Sequence, residues 1–268
     1  MRIFLIRHGE SEANANQNLH KSAPDHDIPL SNRGMEQAQA AGQFLNKFLK
    51  DHPPAIVMQN ALAENLFGTI MSLAGQQGQD INKIKNEMYK SRLWNSPYRR
   101  ARETASIIGG LIGENIKDTR EDVLLCEQQF GLFDGLSDEE QQSKFPGENE
   151  CFMRQKEANG KFWARYPMGE SAFDVCCRLR QFNGTLNRDE EQGIQDHIIV
   201  CHGTVSRLFT MTWLHYRYEW FEEERGPGNC SIRLIDNASG NGYKDRGYVF
   251  GGWKGEDKWK PQMNLTIK

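Results

Sequence analysis

The sequence lacks the features of membrane-spanning and nucleic-acid-binding chains. No hydrophobic run approaches the roughly 18 residues needed to cross a bilayer. Basic and acidic residues nearly balance, 33 against 36, and no long tract of like charge occurs. We therefore expect neither a polybasic membrane attachment nor non-specific binding to nucleic acid.

The six cysteines follow neither a C-x-x-C pattern nor a spacing with histidine typical of zinc sites. We expect them to be reduced and buried, as in a cytoplasmic protein. The chain also enters an apolar strand at once, without the basic and hydrophobic stretches of a secretion signal, which favours the same compartment. No spacing of histidine and carboxylate residues suggests a metal, and no other cofactor is expected.

At 268 residues the chain is long enough for one large α/β domain with a well-filled core. The apolar run from Ile3 to Ile6 is typical of a strand that is buried on both faces. The run stops at Arg7, His8 and Gly9, which places two polar side chains at the carboxyl edge of the strand. Ligands of open α/β sheets bind at that edge.

A second run, His197 to Cys201, has the same character and ends in His202 and Gly203. The pattern predicts another buried strand, with a histidine at its edge and a turn into a helix. A lone histidine in this position is usually structural. Two of them at strand edges favour a shared site.

Two further segments carry polar residues at the ends of short apolar runs. Arg99, Arg100 and Arg102 follow a predicted strand at residues 93–95. Glu127 follows an apolar run that begins at residue 123.

Together these segments resemble the signature of the histidine phosphatase superfamily, the phosphoglycerate-mutase-like group. The resemblance covers about residues 1–50 and 93–236. The later motifs of the chain are most similar to those of phosphoglycerate-mutase-like proteins of fungi and plants. The motifs are Arg-His-Gly-Glu-Ser-x-x-Asn at 7–14, Asp-x-Pro-Leu-Ser-x-x-Gly at 27–34, Ser-Pro-x-x-Arg-Ala-x-x-Thr-Ala at 96–105, Leu-x-Glu-x-x-Phe-Gly at 125–131, Tyr-Pro-x-Gly-Glu-Ser at 166–171, Val-x-His-Gly-x-x-x-Arg at 200–207 and Pro-Gly-Asn-Cys-Ser-Ile at 227–232. The register of the third motif implies that Arg100 belongs to the site and that Arg99 and Arg102 lie on a solvated helix face.

The resemblance implies an α/β fold, a three-layer α/β/α sandwich with a mostly parallel central sheet, in a single domain over residues 1–268. It also implies roles for residues of this chain. His8 is phosphorylated during turnover, and Glu127 protonates the leaving group. The phosphoryl oxygens are expected to contact Arg7, Arg100 and a protonated His202, with further contacts from Ser11, Asn14 and Gly203.

One position departs from the family pattern. Relatives often carry glycine three residues before the aspartate of the second motif, where this chain has Pro24. Proline has no backbone N–H, so a donor that could contact phosphate is lost. After this motif, Ser31 or Asn32 is expected to cap a helix from Met35 to Leu49.

Two segments fall outside the expected core. Residues 53–92 predict either a helical cap over the site or a peripheral decoration, and residues 134–168 predict a second, loop-rich part of the cap. Ser171 is expected to cap a helix that runs to about Leu186. Glu170 either contacts the arginines of the pocket or favours the start of that helix.

Three functions stay open on the sequence. The first is hydrolysis of a small phosphomonoester through a phosphohistidine on His8. The second is a cofactor-dependent mutase, which is the weaker enzyme reading because the family's Arg-Arg-Ser-rich stretch is not found in residues 132–168. The third is a dormant phosphate-binding or interaction module. A small phosphorylated metabolite is the expected partner, and association into a homo-oligomer is left open.

Overall fold

The computed structural model describes residues 1–16, 19, 23–54, 91–237 and 240–255. Its strands are β1 (Arg2–Arg7), β2 (Ser91–Asn95), β3 (Ile116–Glu121), β4 (Asp196–Cys201), β5 (Ile232–Asp236) and β6 (Lys244–Phe250). Its α-helices are α1 (Glu12–Ala15), α2 (Asn32–Asp51), α3 (Arg99–Ile112), α4 (Asp138–Lys144), α5 (Pro146–Asn159), α6 (Ala172–Glu191), α7 (Gly203–Trp213) and α8 (Tyr218–Glu223).

The six strands form one sheet in the order β3-β2-β4-β1-β5-β6. Strands β3, β2, β4 and β1 run parallel, and β5 pairs antiparallel with both β1 and β6. The apolar runs predicted as buried strands are β1 and β4, which lie side by side at the centre. Their carboxyl ends therefore open at one edge of the sheet.

Alternating side chains of β1 enter two separate cores, as the period of a strand requires. Ile3 and Leu5 pack under α6 and α7, whereas Phe4 and Ile6 pack under α2 and α3. Helices thus cover both faces of the sheet. The three-layer α/β/α arrangement with a mostly parallel sheet is confirmed.

The predicted helix starts are also observed. The Ser31 side chain accepts from the Gly34 N–H at the start of α2, and Ser171 forms a capping box with Asp174 at the start of α6. Helices α2 and α6 pack on opposite faces of the sheet.

Residues 134–168 differ from the sequence expectation, because helices α4 and α5 occupy much of a segment predicted to be loop-rich. Pro146 stands at the first position of α5, where its missing N–H costs no hydrogen bond. The charged edge strand β3 was not predicted. Most of the 53–92 segment lies outside the described residues.

Cysteine burial is mixed, which corrects a uniform expectation. All six are free thiols; Cys176, Cys201 and Cys230 are buried, but Cys151 and Cys177 are exposed. Over the ranges described above, no helix combines the length and the apolar character required to traverse a bilayer.

Candidate active site

The two histidines meet because their strands are parallel neighbours in register. Arg7 pairs with Cys201 across β1 and β4, and the His8 N–H donates to the Cys201 carbonyl at 2.9 Å. The imidazole of His202, one residue beyond β4, then lies edge-on to that of His8, with ring centroids 5.1 Å apart. The two histidines therefore lie together at one edge of the sheet, as the sequence predicts.

The His8 ring is held in one tautomer. Its Nδ1 lies 2.7 Å from the Gly9 carbonyl oxygen, which can only accept, so Nδ1 carries the proton and Nε2 is the basic nitrogen. Burial lowers the pKa of His8 well below its usual range, and the charges of Arg100 and Arg7 lower it further. The ring is therefore neutral at physiological pH.

The turn after β1 is packed tightly against the start of α2. A Cβ on Gly9 would lie 2.5 Å from the Gly34 carbonyl oxygen, and one on Gly34 would lie 2.0 Å from the Glu10 carbonyl oxygen. The Gly9 N–H also donates to the Thr104 hydroxyl at 3.0 Å. Glycine at both positions allows the backbone of the two segments to touch, which holds the turn after His8 against the start of α2.

His202 is fully buried, and its Nε2 lies 2.8 Å from the Ser96 hydroxyl. Burial lowers its pKa well below the usual range, and His8 and Arg100 act in the same direction. The expectation of a protonated His202 therefore disagrees with the surroundings that the chain provides. A phosphate dianion beside the ring would oppose this shift, because opposite charge favours the charged form.

Arg7 and Arg100 bring two cations to the same edge. The Arg7 Nη1 donates to the Pro227 carbonyl at 2.8 Å, which anchors the side chain at the end of β1. Arg100, in the first turn of α3, is only 5% exposed. Its guanidinium is paired with the carboxylate of Asp25.

The flanking arginines of α3 lie on the solvated face, as predicted. Arg99 pairs with Glu103, and Arg102 pairs with Glu121, and both arginine side chains are about half exposed.

Glu127 lies in the loop before a 3₁₀ turn at residues 131–133. One carboxylate oxygen accepts from the Gln128 N–H at 3.0 Å, and the other accepts from the Thr204 N–H at 3.4 Å. Thr204 belongs to the first turn of α7, so the carboxylate sits at the positive end of a helix. This contact brings Glu127 next to the strand edge that carries His202.

Ser11 and Asn14 form a capping box at the short helix α1. The Asn14 side-chain oxygen also accepts from the Asn229 amide at 3.2 Å. Both residues therefore already have structural roles, and both border the cavity described next.

A cavity of about 760 Å³ opens at this edge of the sheet. The predicted site residues that border it are Arg7, His8, Ser11, Asn14, Arg100 and Glu127. His202 and Gly203 are not on its described lining. They stand behind His8 and Arg7, where a Cβ on Gly203 would meet the Arg7 Nε at 3.7 Å.

Asp25 and Arg178 carry no signal in the sequence, and Asn229 appears there only as part of the Pro-Gly-Asn-Cys-Ser-Ile motif. Asp25 and Asn229 border the cavity, and Arg178 of α6 supports the Glu127 loop by donating to the carbonyls of Leu124 and Glu127. Arg178 is paired in turn with Glu170. The Glu170 carboxylate thus accepts hydrogen bonds from Arg178 and from the Gln129 N–H, and the expected contact with the pocket arginines is not observed.

Within the described residues, no group of three or more histidine, cysteine or acidic side chains is arranged to hold a metal ion. The strand edge instead brings the guanidinium groups of Arg7 and Arg100 together with the neutral imidazole of His8, and such groups can bind an anion.

Comparison with known proteins gives a consistent family. The model of the histidine phosphatase superfamily (branch 1) matches residues 3–57 and 76–246. The phosphoglycerate mutase-like protein AT74 of Arabidopsis thaliana is 30% identical over 251 residues, which is 90% of this chain and 66% of that protein. The broad-range acid phosphatase DET1 of Saccharomyces cerevisiae is 28% identical, over 87% of this chain and 84% of that protein.

Solved structures share the fold. A mycobacterial glucosyl-3-phosphoglycerate phosphatase complexed with VO3 has a TM-score of 0.61 and 21% identity, covering 94% of this chain and 99% of its own. The alpha-ribazole phosphatase of Shigella flexneri has a TM-score of 0.58 and 20% identity, covering 88% and 90%. With the motifs, the sheet topology and the family model in agreement, the chain belongs to the histidine phosphatase superfamily, branch 1.

Proposed function

We propose that this protein is a metal-independent phosphatase that hydrolyses a small phosphomonoester through a phosphohistidine on His8. The observation that carries the proposal is the state of the His8 ring. Its Nδ1 proton is committed to the Gly9 carbonyl, its pKa is lowered, and two arginines stand beside it. A neutral imidazole with a fixed basic Nε2 suits nucleophilic attack on phosphorus.

The first step would form the Nε2–P bond and break the bond between phosphorus and the ester oxygen. Charge in the transition state is spread over the three equatorial phosphoryl oxygens, and Arg7 and Arg100 would stabilise that charge. Glu127, in its protonated form, would give its proton to the departing alkoxide. The alcohol then leaves, and Glu127 remains as a carboxylate.

In the second step Glu127 would take a proton from water, whose oxygen attacks the phosphohistidine. The N–P bond breaks, inorganic phosphate forms, and His8 returns to its neutral state. Ser11 and Asn14 border the same cavity, and we propose that they contact the phosphoryl oxygens.

Hydrolysis is favoured over the mutase reaction by the acidic residues that the 130–141 segment brings to the cavity. Residues 130–141 contribute Phe133, Asp134, Ser137 and Glu140 to the described lining and contain no arginine or lysine; besides Arg7 and Arg100, the cation on that lining is Lys254. A mutase must hold a second phosphate in the cavity, and the carboxylates of Asp134 and Glu140 would repel it. A broad-range acid phosphatase among the relatives, and phosphatases among the proteins of the same fold, support the same choice.

The test is phosphate release from a panel of phosphomonoesters that includes 3-phosphoglycerate. We expect turnover by the wild type, no turnover by His8→Ala, and undiminished turnover by His215→Asn, an exposed histidine with positive φ that asparagine tolerates. An acid-labile phosphoryl group should be trapped on the wild type and not on His8→Ala. Turnover that persists in His8→Ala would refute the mechanism. Isomerisation that requires a bisphosphate would support the mutase instead.

A further inference from the structure

The Arg100 guanidinium, which borders the cavity, is already bound to an anion of the chain itself. Its Nη1 lies 2.9 Å from Asp25 Oδ1, and its Nη2 lies 3.0 Å from Asp25 Oδ2. Nη1 also donates to the Asp25 main-chain carbonyl at 2.6 Å. A guanidinium has five N–H groups, so these bonds use three of them, including both protons of Nη1.

This bidentate geometry is the one in which arginine holds two oxygens of a phosphate group. Asp25 borders the same cavity as His8, and Arg100 is close enough to His8 for its charge to lower the pKa of that ring. The two carboxylate oxygens of Asp25 therefore occupy a position on Arg100 in which phosphoryl oxygens would otherwise bind.

The segment around Asp25 supports the interpretation that its carboxylate competes with phosphoryl oxygens for Arg100. Asp25 opens the 3₁₀ turn Asp25–Asp27 directly after Pro24, which has no N–H to offer an anion. Pro24 thus cannot donate a backbone hydrogen bond to an anion, and Asp25, the next residue, is itself an anion that accepts hydrogen bonds from Arg100. Asp27, in the same turn, points elsewhere: its side chain is 66% exposed and lies 3.8 Å from Arg99.

We infer that Asp25 is an affinity-determining residue that competes with the phosphoryl group for Arg100. The inference rests on the proposed function only for the identity of the ligand. Substrate must displace a carboxylate before it can bind Nη1 and Nη2 of Arg100 in the same bidentate way, and inorganic phosphate meets the same competitor after hydrolysis. Asp25 thereby weakens the binding of both substrate and product.

The experiment is calorimetric titration of the intact protein with inorganic phosphate and with orthovanadate. Wild type is compared with Asp25→Asn, which keeps an oxygen acceptor but loses the charge, and with Asp25→Ser, which loses both carboxylate oxygens. Asp27→Asn is the matched control, because it removes the same charge from the same turn. We expect Kd for phosphate to fall about tenfold in both Asp25 variants and to stay unchanged in Asp27→Asn.

Kinetics give a second readout. Relief of competition should lower KM for a phosphomonoester in Asp25→Asn while kcat stays level or falls through slower phosphate release. A raised Kd in the Asp25 variants would overturn the inference, since Asp25 would then orient Arg100 toward the ligand. An equal fall in Asp27→Asn would overturn it as a general charge effect.

The two proposals fail in different ways. If the wild type turns over esters and the Asp25 variants bind phosphate as the wild type does, the competition is wrong and the phosphatase stands. If none of the four proteins binds phosphate or vanadate, the phosphate pocket itself is refuted, and the competition with it.

Discussion

Arg178 and Glu170 form a two-point ion pair, with Nε 3.0 Å from Oε1 and Nη2 3.2 Å from Oε2. The pair links α6 to the segment that precedes it. Arg178 also donates to the Glu127 carbonyl at 3.3 Å, and Glu170 accepts from the Gln129 N–H at 3.0 Å. The loop that carries Glu127 is thus held on both sides by one half-buried pair.

Replacing Arg178 by lysine should loosen this loop, because an ammonium cannot reproduce the planar fork of a guanidinium. We expect kcat to fall about tenfold with little change in KM, as for a residue that positions another. Arg188→Lys, on the exposed end of α6, is the control and should leave both constants unchanged. Equal losses in the two variants would show that the effect comes from the helix as a whole.

Glu127→Gln offers a test of the proton donor. A glutamine cannot protonate a departing alkoxide, but a p-nitrophenolate leaves without that help. We therefore expect a loss of about two to four orders of magnitude with alkyl phosphates and a much smaller loss in the first step with p-nitrophenyl phosphate. The measurement is pre-steady-state release of each alcohol. A loss that is the same for both leaving groups contradicts the assignment.

Gly34→Ala tests the contact between the β1 turn and α2. The new Cβ would lie 2.0 Å from the Glu10 carbonyl oxygen, so the backbone must shift. We expect the free energy of unfolding to fall by about 2–4 kcal/mol, and activity to fall with it, because the His8 turn moves.

Gly110→Ala is the matched control for this change. Gly110 lies within α3, and an added Cβ there meets nothing within 4 Å. Alanine should raise the free energy of unfolding by about 0.5–1 kcal/mol, since it favours the helix. Urea unfolding measures both changes. We expect the free energy of unfolding to fall in Gly34→Ala and to rise in Gly110→Ala. Destabilisation of similar size in both would refute the steric argument.

The buried histidines predict how stability depends on pH. Burial lowers the pKa of His197 to about 3, and lowers those of His8 and His202 well below 6.5. At pH 7.5 these rings are neutral in both the folded and the unfolded chain. Below pH 6.5 only the unfolded chain gains their protons, so stability falls, by up to about 1.4 kcal/mol per pH unit for each ring.

Urea unfolding at pH 7.5, 6.5 and 5.5 measures this slope. His8→Asn should make it shallower by about one proton. His215→Asn, at an exposed position, should leave it unchanged. A slope that does not respond to His8→Asn would mean that the His8 pKa is close to its unfolded value in the folded protein.

The sequence predicts the central strands and their edges because their signals are local. An uninterrupted apolar run that stops at Arg7 or at His202 marks both a buried strand and the point where a polar side chain emerges. Ser31 and Ser171 are recognisable as helix caps for the same reason. Their partners lie three residues away.

Other parts of the structure depend on contacts that no local pattern encodes. The 134–168 segment resembles a loop because helix α5 buries only Phe152 fully, which leaves too weak an apolar stripe for a helix to be predicted. Asp25 and Arg100 are 75 residues apart, and Arg178 and Glu127 are 51 apart. The pairing of these groups is a product of the fold and cannot be read from either residue alone.

The position of β1 between β4 and β5 sets the timing of folding during synthesis. The Arg2–Asp196 pair at the start of β1 and β4 is separated by 194 residues. At ~5–20 residues per second, the ribosome needs on the order of 10–40 s to supply the second partner. Throughout that interval a nascent chain carries Arg7, His8 and Gly9 on a strand with two unpaired edges. His8 thus acquires its neighbours in the sheet only after both β4 and β5 have been synthesised.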